Sequence, residues 1–146
     1  MTISNSLRLI IAGGLLALGS AAHAAALTVY KSASCGCCSK WVEHVEKHGF
    51  EVKVINVDDI MAVKAKVGVP NELASCHTTV VGGYVVEGHV PASDIKKLLT
   101  QKPKAKGIAL PGMPLGAPGM DQGGQHQPYE VLLLKSDGQT SSFSRH

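Results

Sequence analysis

The chain has 146 residues, 45% hydrophobic and 17% charged, which sizes it for one folded domain with an appendage rather than a disordered polymer. Its net charge of +3 comes from 14 basic and 11 acidic residues, and aromatics make up only 4%. That balance excludes a nucleic-acid binder as the leading reading, which would need a basic stripe and stacking platforms. Ligand chemistry moves forward on the strength of four cysteines and seven histidines.

Residues 1–24 read as a secretory signal peptide. Arg8 supplies a basic start, Leu9 to Leu18 an apolar run, and Ala22-His23-Ala24 a small-x-small cleavage site. The apolar run is well short of the roughly 20 residues that cross a hydrocarbon core, so export is expected rather than anchoring. The mature chain would begin at Ala25, carry no membrane span and reside in the periplasm. In an oxidising compartment its cysteines should be bridged, cycling or held by metal.

Leu27 to Tyr30 is a short β-rich run that ends in the polar loop Lys31-Ser32-Ala33-Ser34. Cys35-Gly36-Cys37-Cys38 follows and opens a helical pattern through His48, with Cys38, Trp41, Val42 and Val45 on one face and Gly49 as the stop. Phe50 to Val57 alternates as a second strand. Asp58 and Asp59 can cap a second helix, whose apolar stripe is Ile60, Val63 and Val67 and whose end is Gly68; Met61 is expected in its core pattern. After Val69-Pro70-Asn71, a turn leads to Ser75-Cys76-His77. Thr78–Val81 and Tyr84–Glu87 flank Gly82-Gly83 as a hairpin. Pro91 presets a third helix that buries Ile95, Leu98 and Leu99 and stops at Pro103. The order β-α-β-α-β-β-α, with cysteines between the first strand and first helix, predicts an α/β thioredoxin-like domain over 25–106.

Composition shifts over 107–146. Pro111-Gly112-Met113-Pro114 and Pro118-Gly119-Met120 repeat a Pro-Gly-Met tripeptide in an irregular stretch, and a polar linker follows from Gln122 to Pro128. Tyr129–Leu134 and Gln139–Phe143 flank Ser136-Asp137-Gly138 and predict a terminal β-hairpin, which either extends the sheet or pairs with another molecule.

Cys35 and Cys38 have the C-x-x-C spacing of thiol–disulfide oxidoreductases, at a helix N-terminus that favours thiolate. Thiolate is both nucleophile and metal ligand. The third thiol, Cys37, invites wrong disulfides in a redox enzyme and so favours metal. Three thiols in four residues suit ligands that bridge several ions better than terminal ligands of one tetrahedral ion. A structural staple is poorly served by so short a loop, whose closure gains little entropy. Soft thiolates favour Cu(I), zinc or iron–sulfur chemistry, and Met113 and Met120 tip the choice to Cu(I), because a thioether is a poor zinc ligand. Each methionine alone is equally readable as exposed or gap-filling.

Cys76 lies just before the third strand. In a thioredoxin-like domain that loop faces the cysteine loop, so Cys76 and His77 are expected opposite Cys35, Cys37 and Cys38. His77 is read as a ligand or as a hydrogen-bonding support to one. His44 and His48 are four apart and read as surface residues ahead of a metal pair, His89 as structural, and His126 and His146 as solvated.

Four motifs then occur in order: Cys-Gly-Cys-Cys-x-x-Trp at 35–41, Val-Pro-x-x-Leu-x-Ser-Cys-His-Thr at 69–78, Gly-Tyr-Val-Val-Glu-Gly-His-Val-Pro at 83–91, and the paired Pro-Gly-Met at 111–120. Together they resemble the CopG-like periplasmic copper-resistance proteins, formerly a domain of unknown function. The resemblance runs from about Leu27 to Met120 and implies a thioredoxin-like fold with a multinuclear, cysteine-ligated copper site. It carries over Cys35, Cys37, Cys38 and Cys76 as copper ligands, with His77 less securely placed, and implies interconversion of copper oxidation states. The expectation is a copper-binding protein of copper resistance that holds Cu(I) in a cysteine-bridged cluster and works with other periplasmic copper-handling proteins or an electron donor. The alternative is a periplasmic thiol–disulfide oxidoreductase using Cys35 and Cys38.

Overall fold

The computed structural model describes residues 25–146, so the signal peptide expected at 1–24 lies outside the described residues. In chain order the elements are β1 (Ala26–Lys31), α1 (Gly36–Lys47), β2 (Glu51–Asn56), α2 (Ile60–Val67), a single 3-10 turn (Asn71–Leu73), β3 (Thr78–Val81), β4 (Tyr84–Glu87), α3 (Ala92–Gln101), β5 (Gly107–Ala109), β6 (Glu130–Leu134) and β7 (Thr140–Arg145). The strands form one sheet in the order β2-β1-β3-β4-β5-β6-β7. The pairs β1–β2 and β4–β5 are parallel, and the other neighbours are antiparallel. The protein is a mixed α/β fold. Among the described residues no helix is long and apolar enough to cross a membrane.

Local chemistry explains most boundaries. The Cys35 sulfur accepts from the Cys38 N–H at 3.3 Å and so caps α1, whose buried face is Cys38, Trp41, Val42 and Val45. Asp59 caps α2 by accepting from the Ala62 N–H at 3.0 Å, and Gly68 ends it in the left-handed conformation at φ +76°. Gly82 and Gly83 both take positive φ, which the two-residue turn between β3 and β4 requires.

The sheet has apolar packing on both sides, because neighbouring strand residues point to opposite faces. Val86 and Ile108 join Leu27, Val29, Trp41, Val45, Ile95 and Leu98 in the larger cluster, which ties α1 and α3 to the sheet. Val85 and Ala109 join Val69, Leu73 and Leu134 in the smaller one. Each fully buried Leu, Ile or Val contributes about 1.5–3 kcal/mol before ordering entropy is counted.

Three findings differ from the sequence reading. The strand β5, only three residues long, has no counterpart in the predicted elements. It places the terminal hairpin in the sheet, since β6 pairs with β5 through Gly107–Leu134, Ile108–Leu133 and Ala109–Leu132. In α2 the side chain that goes fully inside is Lys64, while Ile60, Val63 and Val67 are half-buried. Met61, expected in the core, is 47% exposed.

Candidate metal centre

The N-terminus of α1 and the loop before β3 meet at one rim. Cys35 and Cys38 are joined as a disulfide, and Cys37 and Cys76 are free thiols. The Cys37 sulfur lies 3.5 Å from that of Cys35 and 3.8 Å from that of Cys76, across 39 residues of sequence. All four sulfurs fall within 4.8 Å of one another. The expected facing of Cys76 toward the other three cysteines is therefore what the fold produces.

A fifth sulfur joins them. The Cys76 thiol donates to the Met113 thioether at 2.8 Å, and Met113 is 52% exposed. Met61, Ala74, Ser75, Cys76, Gly112 and Met113 line a largely apolar hollow that opens from this contact to the surface. Met120 has a different position: it is half-buried and packs against the larger core cluster. The two Pro-Gly-Met copies are thus inequivalent. In the second, Gly119 has φ +84°, and a Cβ there would lie 2.6 Å from the Cys37 carbonyl oxygen, 2.9 Å from the Trp41 nitrogen and 3.2 Å from His89 Nδ1. Only glycine lets this segment lie so close to the first turn of α1.

The loop that carries Cys76 is held from below by a buried polar network. Lys64 forms an ion pair with Glu87, the two side chains being 2% and 1% exposed. Lys64 also donates to Thr78 Oγ1 at 3.0 Å, and Thr78 donates in turn to Glu87 Oε2 at 2.7 Å. Glu87 Oε1 accepts from the Ser75 N–H at 2.7 Å, one residue before Cys76. Burial, and then the neighbouring Cys37, push the Cys76 thiol up to about 11, so it is protonated at neutral pH.

His77 is fully buried beneath the rim, its ring 4.4 Å from that of Trp41 and 5.0 Å from that of His89. Burial holds His77 well below its ordinary value, with the nearby His89, Lys64 and Lys31 adding to the effect. His89, also buried, is lowered chiefly by burial and raised in part by its bond to the Pro118 carbonyl. Sequence reasoning treated His89 as structural, yet it stands beside His77 at the site. The other histidines among the described residues are elsewhere. His44 Nε2 accepts from the Ala92 N–H at 3.2 Å at the start of α3, and His48 is exposed. His126 packs near Tyr129. His146 is exposed, as expected, and also bonds Asp94 at 2.8 Å and stacks on Tyr129.

Four cysteine sulfurs, two of them joined as a disulfide, and a thioether converge on one rim of a mixed α/β scaffold, a donor set that suits a soft metal ion once the disulfide is opened. Residues 73–120 match the family model described as "Protein of unknown function, DUF411". Two solved structures, Form 2 and Form 1 of "Copper resistance protein copG", are similar over most of their length. Form 2 is 44% identical with a TM-score of 0.81, covering 84% of this chain and 98% of its own. Form 1 is 45% identical with a TM-score of 0.79, covering 83% of this chain and 96% of its own. The chain belongs to the CopG copper-resistance family. No curated protein matches it.

Proposed function

We propose that this protein is an exported, periplasmic copper-binding protein of copper resistance, which captures Cu(I) in a thiolate cluster made by Cys35, Cys37, Cys38 and Cys76. The observation that carries the reading is the convergence of all four sulfurs within 4.8 Å of one another. Soft sulfur donors match soft Cu(I), and four thiolates at such spacing can bridge several ions, so a multinuclear cluster is favoured over one ion. Met113 supplies a thioether at the solvent side, and His77 lies directly beneath. The family membership supports copper as the cargo, and the strand and helix order over 25–106 supports a thioredoxin-like core extended by β5 to β7. Copper would come from, or pass to, other periplasmic copper-handling proteins or an electron donor.

Oxidation-state change is part of the reading. Opening the Cys35–Cys38 disulfide to two thiolates takes two electrons, the number released when two Cu(I) ions become Cu(II). In the reverse sense, two Cu(II) ions that reach the reduced pair take up the two electrons its thiolates release on closing to the disulfide, and become two Cu(I) ions.

The disulfide itself favours a second reading, a thiol–disulfide oxidoreductase with half-exposed Cys35 as nucleophile and buried Cys38 as resolving thiol. Anaerobic Cu(I) titration of the reduced protein against a chelator separates the two. More than one tightly held Cu(I) per chain supports the cluster. No retained copper, together with efficient reduction of a model disulfide, establishes the oxidoreductase instead.

A further inference from the structure

Beneath the rim, a second set of donors converges. Cys38, His77 and His89 are all buried and each offers a ligand atom, the three lying within 4.8 Å of one another. Two ligands on opposite sides of one ion stand about 4 Å apart, given metal–nitrogen distances of about 2.0–2.1 Å, so shifts of less than about 1 Å would close this set on an ion.

The hydrogen bonding at these residues points the same way. His77 is 0% exposed, and neither of its ring nitrogens has a partner. A buried polar group without a partner is costly, so an imidazole with both nitrogens bare calls for a ligand. His89 Nδ1 donates to the Pro118 carbonyl oxygen at 2.7 Å, so in the neutral ring Nε2 carries the free lone pair, and Nε2 also has no partner. A ring held through one nitrogen by a backbone carbonyl, with the other bare, is the arrangement of a metal-ligating histidine. The carbonyl belongs to the second Pro-Gly-Met copy, whose Gly119 allows the close approach to α1 and His89. That copy thus has a task distinct from the first: it fixes an imidazole, whereas Met113 contacts a thiol.

We infer that Cys38, His77 and His89 form an inner site for a single Cu(I) ion, behind the thiolate rim and linked to it through the Cys38 sulfur. The inference rests on the copper reading above and adds a nitrogen-containing site to it. While Cys35 and Cys38 are disulfide-bonded, Cys38 has no thiolate to give. An external thiol or phosphine opens the bond with two electrons and two protons, yielding two thiols, and the entering Cu(I) displaces the Cys38 proton. Cys38 then contacts both the outer cluster and the inner ion, and copper can move between them without passing through water.

The test uses the full chain, phosphine-reduced, labelled with nitrogen-15 and titrated anaerobically with Cu(I). The inner site predicts that the Nε2 resonance of His89 and a ring nitrogen of His77 shift on copper addition, and that X-ray absorption shows nitrogen as well as sulfur around copper. His89→Gln should hold one fewer Cu(I) per chain and lose the nitrogen contribution while the sulfur contribution stays. Copper bound with sulfur-only scattering and both rings unshifted overturns the inner site and leaves the rim cluster standing. No bound copper at all overturns the copper reading and the inner site with it. The ring-nitrogen measurement on the parent protein decides the matter even if the His89 variant does not fold.

Discussion

Replacing Lys64 by Met should damage the protein far more than replacing Lys64 and Glu87 together. The single change leaves the Glu87 carboxylate, 1% exposed, without its cation. Breaking a buried pair in this way costs about 3–5 kcal/mol, whereas exchanging both partners for apolar residues is often neutral or stabilising by about 1–4 kcal/mol. Here the double variant Lys64→Met/Glu87→Leu also removes the acceptor of the Ser75 N–H and of the Thr78 hydroxyl. Each group left unsatisfied costs about 1–3 kcal/mol when water cannot reach it, and Ser75 is only half-buried. The double variant should therefore fall close to the parent in stability. Its copper binding should not recover, because Glu87 Oε1 no longer holds the residue before Cys76. Urea unfolding of the metal-free, disulfide-intact proteins measures the first effect, and Cu(I) competition against a chelator after reduction measures the second. A loss below about 1 kcal/mol in Lys64→Met would refute the buried-pair argument. Parental Cu(I) retention in the double variant would refute the idea that Glu87 positions Cys76.

Cys37→Ser should keep the Cys35–Cys38 disulfide and the fold but lower the copper count, because Cys37 is the sulfur that touches both Cys35 and Cys76; metal analysis after Cu(I) loading checks it, and an unchanged count would remove the bridging role. Met113→Leu should weaken Cu(I) retention at a stability cost below about 1.5 kcal/mol, since the volume is conserved and the side chain is exposed. Met120→Leu, away from the Cys76 contact, should retain copper like the parent; equal effects of the two changes would contradict the inequivalence of the repeats. Acid should destabilise the metal-free protein from the histidine side. The value of His77 is depressed by burial, so stability is complete above the unfolded value of about 6.5 and declines as pH falls below it. The slope is about 1.4 kcal/mol per pH unit for this residue, with His89 acting in the same direction. Flat stability between pH 6.5 and 5 in denaturant titrations, ~0 kcal/mol of change, would show that His77 takes up a proton in place.

Short-range chemistry is legible in the sequence, whereas among long-range contacts only the facing of Cys76 and the cysteine loop is. The cap and stop of α2, the face of α1 and the hairpin at Gly82-Gly83 follow from short-range chemistry visible in a few residues. Lys64 reads as a surface residue because periodicity records only a residue's own helix. It goes inside because Glu87 waits on β4, 23 residues away. The strand β5 is too short to alternate visibly and exists because β4 and β6 supply partners on either side. His89 was missed for a reason that can be repaired. Thr78 pairs with Glu87 in the β3–β4 ladder, and the Gly88 N–H donates to the His77 carbonyl at 3.0 Å. Once the turn at Gly82-Gly83 is accepted, counting outward from it sets His77 against Gly88 and Cys76 against His89. The register therefore sets His89 opposite Cys76, close to the cysteine rim.

The disulfide gives this arrangement its internal logic. Cys35 caps α1 through its sulfur and is bonded to Cys38, so in the oxidised protein two of the four rim sulfurs have no thiolate to offer. Cys37 and Cys76 remain, and Cys76 is held protonated by burial and by Cys37. On the copper reading proposed above, full capacity requires both reduction of the bond and loss of thiol protons, which makes copper binding and the redox state of the pair linked equilibria. A ligand that binds only the reduced form stabilises it by RT ln(1 + [L]/Kd), which is about 2.7 kcal/mol at a hundredfold excess over Kd. For a two-electron couple, where about 1.4 kcal/mol corresponds to 30 mV, that raises the reduction potential of the pair by roughly 60 mV per ion bound at that excess. On that reading, Cu(I) arriving at the rim favours the thiolate form that would hold it.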